Sequence, residues 1–321
     1  GRLFYFVGFF FLLRFVSEFL YTIITMTAKR PRISLLMLAV MLPFLGHAEV
    51  PQKEKKVLVE LYNSTKGSQW LIAWDLKAPV STWKGITVEN DHVTQINLFR
   101  NNLEGTLPKD IGKLQHLTHL NLAFNKITGE LPTSFTNLKN LQILRLEMNR
   151  IKGNLPQEIG QLSNLKVFSM FNNFLSGNIP EGFGKLTNLT ELNLSSNNLR
   201  GRIPSAIGNL AKLEALGLFE NGLEGNIPAE IGKLGKLKEL VLANNQLGGE
   251  IPLEFSQLAS LKILQLQNNR FDSFEGLRAM NSQQFLVFDS DDASSQPRFN
   301  DIQLQRTRMA DTKFEDDDDN E

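Results

Sequence analysis

The sequence predicts an α/β solenoid: eight copies of a 24-residue unit, stacked through short parallel strands and closed by a cap at each end. Three observations predict it. The first is a fixed period: Asn101, Asn125, Asn149, Asn173, Asn197, Asn221, Asn245 and Asn269 each stand 24 residues apart, from Val93 to about Gln284, with no insertion or deletion. Such a period means stacked units rather than one globular core. The second is a period-two alternation within each copy. Leu117–Asn140 reads LTHLNLAFNKITGELPTSFTNLKN, so Leu120 and Leu122 face one way while Asn121 and Ala123 face the other, as on a strand. The third is the return path. Pro-x-x-Ile/Phe-Gly-x-Leu carries a proline that fixes φ and lacks a donor, which suits a turn or a helix start.

Taken in order, the chain opens with residues 1–25, very apolar but containing Arg14 and Glu18. From Met26 comes a basic stretch (Lys29, Arg30, Arg32), an apolar run Ile33–Leu45, then Gly46-His47-Ala48. Residues 26–48 thus have the layout of a secretory signal, with mature material expected to begin at Glu49. Two readings stand for residues 1–25: an over-extended frame before Met26, or a membrane-spanning helix. The first is favoured, because a signal makes no sense internally.

Residues 49–92 form the N-terminal cap. Val57, Leu58, Leu61 and Tyr62 have helical apolar spacing. All three tryptophans of the chain, Trp70, Trp74 and Trp83, follow, as apolar cover for the open edge of the first repeat. The repeats run over 93–271. In each, the glycine of N-x-L-x-G (Gly105, Gly129 and their equivalents) is expected where φ is positive or a Cβ would clash. The asparagine ladder is structural: a neutral carboxamide with donors and an acceptor serves the buried backbone at the turn. A single copy cannot bury enough to fold alone. After Asn269 the motif breaks down, and residues 272–290 read as a C-terminal cap. Residues 291–321, ending in Glu315-Asp316-Asp317-Asp318-Asp319, read as a disordered acidic tail.

The skeleton L-x-x-L-x-L-x-x-N-x-L-x-G-x-I/L-P resembles the plant-specific class of leucine-rich repeats, found in receptor-kinase ectodomains and polygalacturonase-inhibiting proteins. Similar repeats occur in exported bacterial proteins. The resemblance covers roughly residues 55–290. It implies a curved right-handed superhelix with a parallel β-sheet on the concave face, and a binding role rather than an enzymatic one. The segment STWKGITVENDHVTQINL also resembles the cap preceding such repeats, where two cysteines flank a tryptophan-glycine pair. Ser81 and Val88 stand in their places here, and the chain has no cysteine. That departure fits bacterial export better than a eukaryotic extracellular setting.

Composition narrows the function classes. Lys+Arg and Asp+Glu each number 34, for a net charge of zero, which argues against nucleic acid. No thiol nucleophile or zinc cage exists without cysteine. The four histidines show no metal motif: His47 falls in the signal, and His92, His116 and His119 have no spaced partners. Ile-Gly-Lys at Lys113 and Lys233 is repeat filler, not a phosphate loop. No catalytic residue, metal ligand or cofactor is assigned.

The remaining signal lies on strand positions pointing away from the core. Phe99, Arg100, Phe124, Arg145, Glu147, Met148, Phe171 and Phe219 gather in the first six repeats as candidate partner-binding residues. The later repeats offer Glu239, Val241, Ala243, Ile263, Gln265 and Gln267, and are expected to take no part. Eight strands at roughly 4.8 Å give a face about 34 Å long, long enough for an extended peptide, a glycan chain or a protein edge. The expected function is an exported (secreted, periplasmic or cell-surface), non-enzymatic binding protein for a protein or glycan partner. The alternative is a structural or adhesive surface protein with the array as spacer. A membrane contact follows only if residues 1–25 are a helix.

Overall fold

The computed structural model describes residues 50–278, 280 and 285–290. The signal-like segment, residues 1–25 and the acidic tail lie outside the described residues. Among those described, no helix is long and apolar enough to cross a membrane.

The apolar spacing at Val57, Leu58 and Leu61 builds helix α1 (Gln52–Ser64), which buries all three together with Glu54. Two strands follow, Ile86–Glu89 and His92–Asn97, paired antiparallel. From His92–Asn97 onward every step is parallel, through His119–Asn121, Ile143–Arg145, Val167–Ser169, Glu191–Asn193, Ala215–Gly217, Glu239–Val241, Ile263–Gln265 and Val287–Asp289. The register never slips: Gln95 pairs with His119 and His119 with Ile143, then onward to Ile263 with Val287. Val287–Asp289, inside the segment read as the C-terminal cap, extends this ladder. A short helix, Glu275–Arg278, precedes it.

The return segments form 3₁₀ turns, such as Thr133–Asn137 and Glu181–Lys185, each entered from a proline with extended backbone. Their Phe and Ile side chains, including Phe135, Phe183 and Ile207, are fully buried against the strand leucines. The N-x-L-x-G segment does more than turn. It pairs with its neighbours into a second parallel sheet of eight strands, from Glu104–Thr106 to Arg270–Ser273. The sequence reading misses this sheet because its residues alternate poorly and its glycines suggest only turns. Those glycines do hold positive φ, 80° at Gly129 and 84° at Gly153.

The asparagines sit as expected. Asn173 Nδ2 donates to the carbonyls of Leu146 (3.0 Å) and Met170 (3.1 Å), and its Oδ1 accepts from the Ile151 amide at 3.0 Å. At the top of the ladder Asn101 turns to the cap instead, its Oδ1 accepting from the Ile72 amide at 2.8 Å.

The tryptophans cover the first repeat. Trp70, Trp74 and Trp83 are all buried. Trp74 stacks on Trp83 and meets Trp70 edge-on, both at 4.8 Å between ring centroids. Each indole N–H donates to a backbone carbonyl: Trp70 to Thr65, Trp74 to Lys84 and Trp83 to Ala78. These ring contacts and indole hydrogen bonds stand where the resembling caps have a cysteine pair.

Candidate functional site

Period-two alternation sends every second strand side chain off the core, so the outward face of the ten-stranded sheet carries four columns of side chains. The innermost columns lie at Gln95, His119, Ile143 and onward, and at Asn97, Asn121, Arg145 and onward. Beyond each strand the chain turns through a left-handed residue. Arg100, Phe124, Met148, Asn172, Ser196, Glu220, Asn244 and Asn268 all have φ between 48° and 57°. Asparagine tolerates that region, whereas Phe and Met in it are uncommon. Strained backbone of this kind gathers at functional positions.

The predicted residues do not form one patch; the fold sorts them into zones along the array. At the N-terminal end Phe99 and Phe124 are exposed, with rings 5.2 Å apart. Leu71 and Ile72 of the cap, 71% and 50% exposed, enlarge this apolar zone. Leu71, Arg100, Phe124 and Lys126 line a shallow cavity of about 230 Å³. Sequence reasoning misses Leu71 and Ile72, since the loop carrying them has no periodicity.

The middle zone is charged. Arg145 lies 3.5 Å from Glu147 on its own turn and 3.4 Å from Glu191, two strands away. Glu191 is absent from the sequence reading, because only the 24-residue stacking brings it near. Burial pushes the Glu147 carboxyl above the ordinary glutamate range, and the opposing effects of its own backbone amide and of Arg145 do not cancel it. Its Oε2 is buried without a hydrogen-bond partner. Met148 and Phe171, both half-buried, flank this group.

The C-terminal zone is apolar and better covered than the sequence suggests. Val241, Ile263 and Val287 form a small buried cluster, with Phe219 and Ala215 packed against it. Phe219 thus supports the sheet as well as lining its face. Gln265 and Gln267, expected to be inert, hold Oε1 atoms buried without a hydrogen-bond partner. The face therefore presents aromatic, charged and apolar zones in series, with buried acceptor oxygens that lack donors.

A second constellation lies where α1 meets the first turns. His92 and His116, one repeat period apart, stack with ring centroids 3.6 Å apart over the fully buried Glu54. The sequence reading gives these histidines no partners. Their 24-residue spacing was the signal: residues one period apart are neighbours on adjacent rungs.

Comparison with known proteins agrees with this architecture. Residues 96–203 match the family described as Leucine-rich repeat region, and residues 235–279 match Leucine Rich repeats (2 copies). No curated protein sequence matches the chain. Among solved structures, the chain is similar to the PEPR1-AtPEP1 crystal structure: 29% identity, TM-score 0.67, covering 74% of this chain and 34% of that one. It is similar to the ectodomain of the Arabidopsis thaliana membrane receptor kinase GASSHO1/SCHENGEN3, solved with CASPARIAN STRIP INTEGRITY FACTOR 2. There the identity is 30% and the TM-score 0.61, covering 71% of this chain and 31% of that one. A third is the Arabidopsis receptor kinase HAESA, solved with the peptide hormone IDA and the co-receptor SERK1: 40% identity, TM-score 0.54, 56% of this chain and 30% of that one. The chain spans about a third of the length of each.

Proposed function

We propose that this chain, a plant-type leucine-rich-repeat protein, binds an extended peptide or protein segment along the outward face of its ten-stranded sheet, without catalysis. The observation that carries the reading is Glu147. A carboxylate held mostly buried, with one oxygen unpartnered, costs folding free energy. A ligand donor placed against that oxygen would recover the cost. Peptide amides and basic side chains are such donors, and the buried oxygens of Gln265 and Gln267 repeat the invitation farther along. Nine parallel strands at roughly 4.8 Å spacing span about 38 Å, too long for a single metabolite. The similar HAESA receptor kinase is in complex with the peptide hormone IDA, and the similar GASSHO1/SCHENGEN3 structure is a membrane-receptor ectodomain; these support a peptide ligand and a location outside the cytoplasm. The signal-like layout of residues 26–48 supports export too.

Affinity should concentrate in a few anchors. The test is to pan a random-peptide phage library on the protein and measure selected peptides against variants. Phe171→Ala and Arg145→Ala are expected to weaken binding by about 5–30-fold with the melting temperature held. Lys185→Ala, on the 3₁₀ side, should leave binding unchanged. Normal binding by both face variants, or failure to select any peptide, removes this reading and favours the array as a spacer.

A further inference from the structure

Away from the outward sheet face lie a groove lined by Arg202, Glu181 and Glu230 and, at the N-terminal end, a histidine pair over Glu54. Glu54 sits in the first turn of α1 and is completely buried. Its Oε2 accepts the Val93 amide at 2.9 Å, while its Oε1 lies 2.7 Å from His92 Nδ1 and 3.8 Å from His116 Nδ1. One oxygen therefore faces two imidazoles and hydrogen-bonds only the nearer. Two imidazolium rings stacked 3.6 Å apart would repel, so simple ion pairing does not account for the second ring.

We propose that Glu54, His92 and His116 bind one borderline transition-metal dication of the Zn²⁺ class. One ligand atom from each residue lies within 4.8 Å of the others. Zinc–ligand bonds of about 2.0–2.2 Å place tetrahedral donors roughly 3.3 Å apart, so the closest contact opens slightly and the longest shortens. The stacked rings must also splay for their lone pairs to converge. His116, with a side chain 46% exposed, has room to turn. Two imidazoles and one carboxylate suit zinc, cobalt or nickel, not calcium or magnesium, which take oxygen ligands. Both histidines line an open cavity of about 360 Å³ that also includes Glu89, Asn140 and Gln142, so a fourth position is accessible to water.

The consequence is mechanical. A bound dication ties α1 (Glu54), the first parallel strand (His92) and the turn before the next (His116) at one point. It closes two long loops in the native state only, unlike a covalent cross-link, and so stabilises the cap by linkage. In a chain without cysteine, this staple lies beside the segment that resembles a disulfide-bonded cap.

The test uses the full chain, stripped with chelator and dialysed. Titration with Co²⁺ should give visible ligand-field bands saturating at one equivalent. The melting temperature should rise with the logarithm of free Zn²⁺ and not respond to Mg²⁺. His116→Ala, a half-exposed change that leaves the Glu54–His92 bond in place, should lower Zn²⁺ affinity by at least about 10-fold and abolish the cobalt bands. His92→Ala should do the same. An unchanged melting temperature with Zn²⁺ and no cobalt bands would overturn the proposal and leave a plain hydrogen-bonded cap. Equally tight binding by His116→Ala would place the metal elsewhere and overturn it as well.

Discussion

At the scale of single residues, neighbours in sequence carry opposite roles. Asn173 is buried and satisfies three carbonyls and an amide, so Asn173→Ala should cost on the order of 1–3 kcal/mol. Asn172 is exposed, and the alternation in the sequence already places it outside. What the sequence hides is its φ of 51°. An alanine there enters the left-handed region, at a cost of about 1 kcal/mol, so the neutral comparison is Asn172→Gly, expected within about 0.5 kcal/mol. Urea unfolding of the two variants decides, and matching midpoints would show the ladder is not structural. Glu147 makes a second prediction. Its carboxyl titrates higher in the folded chain than in the unfolded one, so the folded state holds the proton longer. Stability is therefore lost as pH rises from the ordinary glutamate value through the raised one. Glu147→Gln should melt higher than the parent at pH 7, and that advantage should vanish below the ordinary value. A pH series of thermal melts checks it.

At the scale of elements, the caps and the second sheet show where sequence reading stops. Clustered tryptophans announce a cap because large aromatics near a repeat boundary have little else to cover. Their packing order and indole bonds depend on a loop with no periodicity, and so were not legible. Trp74 touches Tyr62, Trp70 and Trp83. Trp74→Ala should therefore cost about 3–5 kcal/mol and expose the first repeat, read as a lower urea midpoint and faster amide exchange at Leu98 and Leu103. If exchange quickens uniformly along the array instead, the cap is not a separable unit. Gly105 closes the same junction. A Cβ there would fall 1.9 Å from the Ser64 carbonyl oxygen, so α1 docks here because the middle residue of the strand Glu104–Thr106 is glycine.

At the scale of the whole array, the order and direction of the strands were legible because identical units can stack only in register. Contacts between units were legible only where the period was applied to side chains one by one. Phe99 and Phe124 were found that way, while Glu191 beside Arg145, and His92 beside His116, were not. The unbroken register has a further meaning. Each rung offers its successor the same edge, so deleting or duplicating 24 residues leaves every junction chemically familiar. Gene rearrangement could then slide the aromatic zone toward or away from the charged one by a single strand spacing, like type reset on a composing stick. Ligand choice in such a chain would evolve by changing distances between anchors while each anchor stays as it is.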